Sequence, residues 1–397
     1  MKIKVTPEDF QVVELARLAP ARAGRVSLYE LHKRKIGTFE AVRQIARRAG
    51  VPQDRLGFLG LKDRQALTTQ LVWADGVRLP LRLGLRDIRL RYLGRAAAPP
   101  PPETLRGNRF TVVVRDLDSG DLADLEGRRA RLRRYGLVNY YDDQRFGSLA
   151  AGQGLPGREL VRGNHEAVLR ALLAAAGRRD PPGERRFKHF VARAWGDWPV
   201  IAARWGHRPG LAMVRHLARH PQDFAGALTH LPARERALHV FAYQSWIWNE
   251  SVAAYLVRKL PAGLRSATPY VGGRHVWIEP DPAAALPPLA RSFPLLDHTV
   301  APADPEVRRA IASVLAREGL TIERLRIDGI PGCFLQREER RLRLRPAALR
   351  FLGPALPDER HPGRHKLTVA FDLPRGTYAT LILKRLFSAA PVRDPKP

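Results

Sequence analysis

The first 150 residues alternate between strand-like and helix-like patterns. Phe10–Leu15 and Val26–Leu31 have the β-branched and alternating character of strands. A helix is predicted next, with Thr38 as its N-cap and Gly50 after its end. Its apolar positions recur at helical spacing, at Phe39, Val42, Ile45, Ala46 and Ala49.

A short apolar run flanked by glycine, Leu56–Leu61, predicts a buried strand that emerges into a loop at Lys62-Asp63-Arg64. Strand-like segments follow at Thr69–Trp73 and Phe110–Val114. Charged residues at the mouth of a strand suggest a site. The whole segment indicates an α+β or mixed α/β beginning.

From about residue 151 to residue 340 the pattern becomes mostly helical. Three helical patterns stand out, at Asn164–Ala176, Arg234–Leu260 and Pro305–Glu318. The end reverts to strands at Leu342–Arg345 and Leu367–Phe371, before a final helix that Thr377 is predicted to cap. One sheet interrupted by an insertion explains this better than three consecutive domains. We therefore expect a catalytic domain formed by 1–150 and 341–397, with an inserted domain at 151–340.

The charge balance points to a polyanionic partner. The 397 residues include 68 Lys plus Arg against 39 Asp plus Glu, a formal net charge of +29. A compact chain with this charge repels itself, and a nucleic acid would relieve that repulsion. A GC-rich genome would also favour Arg, so the abundance of Arg alone is weak evidence. With 45% hydrophobic and 27% charged residues the composition is globular, which excludes a wholly disordered basic tail.

Several classes of protein are excluded by what the sequence lacks. No apolar run approaches the roughly 18 residues of a membrane span, and the first residues carry acids where a signal peptide is apolar. We expect a cytoplasmic protein with no membrane association. The single Cys333 cannot form an internal disulfide or a zinc site built on Cys pairs. The 12 His residues show no metal-ligand spacing, so we interpret them as surface residues. No glycine-rich phosphate loop occurs, which argues against nucleotide hydrolysis and dinucleotide chemistry.

Two segments could carry chemistry. Lys62 and Arg64 flank Asp63, which favours its ionised form and could also position phosphates, although a surface ion-pair cluster would look the same. Asn139–Gly147 combines rings, amides and a guanidinium, which is the set of groups that holds an unstacked base. Its rings could equally be core residues. For the aromatic residues of Phe241–Asn249 we favour packing, because they lie in a long helix.

Six segments resemble, in order, the motifs of the TruD family of tRNA pseudouridine synthases. They are Pro7–Phe10, Gly60–Gln70, Leu105–Phe110, Asn139–Gly147, Ala242–Asn249 and Leu373–Thr380. The resemblance implies a pseudouridine-synthase-like catalytic domain with a mainly antiparallel sheet, interrupted by an inserted, mostly helical α/β domain. It also implies a cofactor-independent isomerase that converts a uridine of tRNA to pseudouridine, at position 13 of the D arm in bacterial members. We expect a monomer that requires no metal.

The resemblance also implies residue roles. Asp63 matches the catalytic Asp, Asn139 and Tyr141 match active-site positions, and Tyr378 matches an aromatic residue of the C-terminal motif. Glu14 matches an acidic position of the family. We therefore expect one catalytic residue, Asp63, and a set of substrate-binding residues at Glu14, Lys62, Arg64, Asn139, Tyr141, Gln144, Arg145 and Tyr378.

Alternatives stay open on the sequence. A non-catalytic RNA-binding or ribosome-assembly protein would explain the charge and the aromatic residues, although it has no use for Asp63 in an RNA-binding cleft. A metal-dependent nuclease would need Asp142 and Asp143 to join Asp63 around Mg²⁺. For the isomerase, Asp63 could attack the base, attack the sugar or stabilise a departing uracil anion.

Overall fold

The computed structural model describes residues 1–177, 180–205, 210–279, 281 and 285–387. Its strands are β1 (Phe10–Ala16), β2 (Val26–Arg34), β3 (Leu56–Phe58), β4 (Leu67–Asp75), β5 (Ile88–Ala96), β6 (Leu105–Leu117), β7 (Leu137–Val138), β8 (Arg265–Tyr270), β9 (Gly273–Ile278), β10 (Ser292–Leu295), β11 (Glu338–Arg341), β12 (Arg343–Leu344), β13 (Ala347–Phe351), β14 (Leu356–Pro357) and β15 (His365–Pro374). Its α-helices are α1 (Thr38–Ala49), α2 (Ser119–Leu122), α3 (Leu125–Tyr135), α4 (Gly147–Ala150), α5 (Pro156–Val161), α6 (His165–Leu169), α7 (Pro182–Arg193), α8 (Trp198–Trp205), α9 (Leu211–Arg219), α10 (Phe224–Thr229), α11 (Ala233–Lys259), α12 (Pro305–Arg317) and α13 (Ala379–Phe387).

The chain forms two compact units. Among the described residues, the first combines Met1–Gly136 with 345–387, and the second is Leu137–Leu344. Residues 137–150, which the sequence pattern placed with the first segment, lie in the second unit. There β7 pairs with β12, with Val138 opposite Arg343.

The first unit is built on one large sheet. Its strand order is β13-β15-β6-β1-β4-β2-β5, with β14 paired to β15 and β3 paired to β4. Every pair is antiparallel except β1 with β4. The predicted α+β class with a mainly antiparallel sheet is therefore confirmed.

Helix α1 packs on one face of this sheet. Ala41 and Ile45 of the helix are buried with Tyr29 and Leu31 of β2, because the helix has an apolar stripe and the strand an apolar face. The helix ends at Gly50, whose φ of 65° is the left-handed conformation that glycine adopts at a helix end. The predicted N-cap was wrong. Gly37 caps the helix, and Thr38 is its first residue.

The second unit is organised around α11. The helix contacts α5 and α12 and the strands β9 and β10. Trp248 is buried on it, and Tyr255 packs edge-on against Phe293 of β10 with ring centroids 5.1 Å apart. Of the aromatic residues for which packing was predicted, Tyr243 and Trp248 are buried in the core, whereas Phe241 and Trp246 are half-buried. Two-stranded sheets lie beside the helices, β8 with β9 and β10 with β11.

The last described helix begins one residue later than a cap at Thr377 would place it. Helix α13 starts at Ala379, and the Thr377 hydroxyl donates to the carbonyl of Pro374 at 2.7 Å. Thr377 therefore closes the turn after β15. Across the described part of the chain, no helix has the length and apolar character needed to cross a membrane.

Candidate active site

The Asp63 loop, residues 60–66, connects β3 to β4 in the first unit. The strand that precedes the loop is shorter than predicted, because only Leu56–Phe58 of the apolar run Leu56–Leu61 forms a strand. The side chain of Asp63 is 43% exposed. The loop therefore brings one carboxylate to the surface at the point where β4 begins, as the sequence pattern predicted.

Polar side chains from α1 and β4 hold the backbone of the loop. The Thr38 hydroxyl accepts from the Lys62 N–H at 3.0 Å and donates to the Gln70 side-chain oxygen at 2.9 Å. The Gln70 amide nitrogen then donates to the Gly60 carbonyl at 3.1 Å. Because peptide groups of the loop have fixed partners, its conformation is set before any substrate arrives.

A buried ion pair lies beneath the loop. Lys62 Nζ is 2.5 Å from Glu14 Oε1, and the two side chains are only 5% and 2% exposed. The other Glu14 oxygen accepts from the Leu71 N–H at 2.8 Å, so the carboxylate joins β1, β4 and the loop. Removing one partner of such a pair leaves a buried charge uncompensated. A Cβ at Gly60 would lie 3.3 Å from Glu14 and 3.1 Å from Lys62, so glycine permits this close approach.

Two lysines that the sequence analysis missed also contact the loop. Lys4 Nζ lies 2.8 Å from Asp63 Oδ2, and Lys33 Nζ donates to the Asp63 carbonyl at 3.0 Å. The alternation of β2 could have indicated Lys33, because it shares the inward face with Tyr29 and Leu31. Lys4 has no comparable local signal. Arg64 is exposed and forms no ion pair with any described residue.

The Tyr141 segment, residues 139–145, follows β7 in the second unit. Asn139 and Tyr141 are both buried. Arg340 of β11 donates to the Asn139 side-chain oxygen and to the Asn139 carbonyl, each at 2.9 Å. Its guanidinium also lies 4.0 Å from the centroid of the Tyr141 ring. Arg340 therefore orients both residues, and no sequence pattern pointed to it.

Helix α11 fixes the backbone of the same segment. Asn249 accepts from the Tyr141 N–H at 2.9 Å and donates to the Tyr141 carbonyl at 2.8 Å. Arg145 donates to the Ser245 hydroxyl at 3.0 Å, with its guanidinium 5.6 Å from the Tyr141 ring centroid. Gln144 is exposed. The structure thus brings Arg340 to both Asn139 and Tyr141, and Arg145 to Tyr141, while Gln144 faces solvent.

Tyr378 lies in the first unit, immediately before α13. It is partly buried, and its carbonyl accepts from the Leu381 N–H at 3.2 Å in the first turn of the helix. Tyr378 lies in the turn that connects the end of β15 to α13. The last residue of β15, Pro374, pairs with Gly107 of β6.

The first unit supplies a held carboxylate beside an ammonium group, and the second a cluster of planar groups. A fixed carboxylate can act as a nucleophile or stabilise charge, and planar groups can stack on a base. Among the described residues, no group of three or more His, Cys, Asp or Glu side chains is arranged to hold a metal ion.

Comparison with known proteins gives a consistent result over nearly the whole chain. The family model described as tRNA pseudouridine synthase D (TruD) matches residues 1–279 and 288–386. The Methanocaldococcus jannaschii protein named "Probable tRNA pseudouridine synthase D 2" is 32% identical, over 98% of this chain and 92% of that protein. The tRNA pseudouridine synthase D of Aquifex aeolicus is 28% identical, over 98% of both chains.

A solved structure is also similar. It is a crystal structure of a Methanosarcina mazei protein assigned to tRNA pseudouridine synthase D (TruD), with a TM-score of 0.71 and 25% identity. The similarity covers 97% of this chain and 93% of that one. On the family match and the identity to its relatives, this chain belongs to the TruD family of tRNA pseudouridine synthases.

Proposed function

We propose that this pseudouridine synthase isomerises a uridine in the D arm of tRNA, at position 13, and that Asp63 is its catalytic residue. The observation that supports this role is the contrast between the Asp63 side chain and its loop. The backbone is anchored by Thr38, Gln70 and Lys33, whereas the carboxylate is 43% exposed and available to a substrate. Such pre-organisation is what positions a reacting group.

The reaction needs no atom or electron from outside. The bond between N1 of uracil and C1′ of ribose breaks, the uracil turns, and C5 bonds to C1′. The hydrogen on C5 leaves as a proton, and N1 gains one. We propose accordingly that the enzyme works without cofactor or metal, as a cytoplasmic monomer. Glu14 and Lys62 would support Asp63 from beneath, while Arg64 would meet a phosphate.

The target base must leave its stack to reach a catalytic carboxylate. We propose that Tyr141 or Tyr378 replaces the lost stacking, with Asn139, Gln144 and Arg145 as further substrate-binding residues. Arg340 adds a second planar group beside this ring, because its guanidinium lies 4.0 Å from the centroid of the Tyr141 ring. Guanidinium planes stack on bases much as aromatic rings do.

The two compact units support separate roles for two parts of the chain. We propose that the first is the catalytic domain, split in sequence by the second, and that the second is an inserted domain that contributes to tRNA binding. The observation that supports this proposal is that Asp63 and Tyr378 belong to the same unit, although the whole insertion separates them in sequence.

The test is release of tritium from tRNA that carries tritium at C5 of uridine. Tritium should appear in water, and the new pseudouridine should map to position 13 of the D arm. The release should continue in EDTA. Binding of tRNA should weaken steeply as salt is added, because basic side chains that neutralise phosphates release counterions from the RNA. Binding of tRNA without any tritium release would instead favour a non-catalytic RNA-binding protein. Cleavage of the tRNA that EDTA stops would favour a nuclease.

A further inference from the structure

Lys33 is a buried lysine beside the Asp63 loop. It occupies the inward face of β2, two residues after Leu31, and is only 2% exposed. A lysine is almost never fully buried unless its ammonium group has partners. The position therefore calls for an account of what that group does.

Among the described residues, the hydrogen-bond acceptors of Lys33 are three backbone carbonyls in or next to the Asp63 loop. Its Nζ lies 2.7 Å from the carbonyl oxygen of Ile36, 3.0 Å from that of Asp63 and 3.5 Å from that of Lys62. An ammonium group has three N–H donors, which matches these three acceptors. Ile36 precedes α1, and the other two belong to the loop, so one side chain joins the two segments.

We propose that Lys33 is a positioning residue of the catalytic site, which fixes the direction of the Asp63 carboxylate by holding the carbonyls of Lys62 and Asp63. This inference rests on the proposed role of Asp63. The role of Lys33 differs from that of Lys4, whose ammonium group contacts the Asp63 carboxylate itself. Lys33 instead binds the backbone carbonyls of the loop that carries this carboxylate.

The arrangement depends on the charged form of Lys33. A neutral amine keeps two N–H donors, and its lone pair would face a carbonyl oxygen. Burial lowers the pKa of Lys33 to about 8. The negative charge of Asp63 opposes this shift, and the positive charge of Lys62 adds to it. Those are the charged groups that face it, and Lys62 is itself paired with Glu14 of β1, as Asp63 is with Lys4. As pH rises through about 8, Lys33 loses its proton and the loop loses an anchor.

The experiment compares Lys33→Met with Lys35→Met, a substitution of an exposed lysine immediately after the same strand. Single-turnover tritium release, tRNA affinity and thermal unfolding are measured between pH 6.5 and 9.5. We expect Lys33→Met to lower the rate about 100-fold, because small displacements of a reacting group cost about that much. Its tRNA affinity should stay within about twofold of wild type. The fall in rate above about pH 8, present in wild type and in Lys35→Met, should be absent in Lys33→Met.

A Lys33→Met rate near that of wild type, or an alkaline fall that persists in this variant, overturns the inference. If Lys33→Met does not fold, the wild-type profile decides: a fall near pH 8 with unchanged tRNA binding supports the inference, and a flat profile to pH 9.5 contradicts it. Asp63→Asn separates this outcome from a failure of the proposed function. An inactive wild type or an active Asp63→Asn refutes the role of Asp63, whereas an active Lys33→Met beside an inactive Asp63→Asn refutes only that of Lys33.

Discussion

Lys4 Nζ lies 2.8 Å from Asp63 Oδ2, although 59 residues separate the two in sequence. The N-terminal segment is held in place for this contact. Lys2 exchanges backbone hydrogen bonds with Arg115 at 2.7 and 2.8 Å, and Asp9 forms a buried ion pair with the same arginine. Asp9 of the Pro7–Phe10 motif thus anchors the segment that carries Lys4, which gives this residue a structural role.

Lys4→Met should lower the rate of pseudouridine formation about fivefold. The ion pair with Asp63 is partly exposed, and such pairs are worth up to about 1 kcal/mol, which corresponds to about fivefold in rate. The measurement is single-turnover tritium release at low and high salt, and the effect of the substitution should shrink at high salt. Lys2→Met is the control, because Lys2 pairs with Asp116 instead. Equal effects of the two substitutions would argue for a general loss of positive charge.

Tyr141→Ala should slow the reaction between about 5-fold and about 150-fold, whereas Tyr141→Phe should retain most of the activity. Stacking of a base on an aromatic ring is worth about 1–3 kcal/mol by alanine substitution, and phenylalanine keeps the ring. Both variants are compared by single-turnover rates on the same tRNA. If the Phe variant is as impaired as the Ala variant, the hydroxyl group rather than the ring face is what matters.

Asn249→Ala should lower the free energy of unfolding by about 2 kcal/mol or more. The substitution leaves the buried Tyr141 N–H without an acceptor, which costs about 1–3 kcal/mol. It also removes the amide donor to the Tyr141 carbonyl, which keeps a contact with His275 Nε2 at 3.2 Å. Urea denaturation measures the change. Ser251→Ala on the same helix is the control, since the buried Ser251 hydroxyl has no hydrogen-bond partner among the described residues. Similar losses in both variants would contradict a specific role for Asn249.

Stability should decline below about pH 4, in part because of Asp358. Burial alone would raise the pKa of this carboxyl, but hydrogen bonds from the Asp116 and Arg360 N–H groups, from His361 and from Arg115 outweigh it and lower the pKa. The folded protein therefore binds fewer protons than the unfolded chain as pH falls through the ordinary Asp value near 4. The stabilisation is present above that pH and is lost below it.

Asp358→Asn should lower the melting temperature at pH 7 and reduce the difference between pH 7 and pH 3. Calorimetry at several pH values measures this. Asp54→Asn, at an exposed position, is the control and should leave the profile of wild type. An unchanged pH profile in Asp358→Asn would assign the acid sensitivity to other carboxylates.

The sheet was predictable where one face of a strand is buried. Burial alternates in β1 from Phe10 to Val13 and in β2 from Tyr29 onward, and Lys33 could have been found by continuing the alternation of β2. The helix ends were less predictable. The Thr38 hydroxyl bonds to Gln70, 32 residues away, and this tertiary contact replaces the local cap that the residue type favours.

The second part of the candidate site depends on contacts between distant residues. Arg340 holds Asn139 across 201 residues of sequence, and Asn249 holds Tyr141 across 108. A local pattern carries no information about such pairs. The motif around Tyr141 indicated which groups gather, but the folded chain was needed to identify what orients them.

The most direct test of the account is tritium release by Asp63→Asn under single-turnover conditions, with tRNA binding measured in parallel. The substitution keeps the shape of the side chain and removes the carboxylate that the loop presents. We predict no detectable release, with tRNA affinity equal to that of wild type or slightly higher, because a negative charge near phosphate is removed. Release at a rate near that of wild type would show that Asp63 is not the catalytic residue.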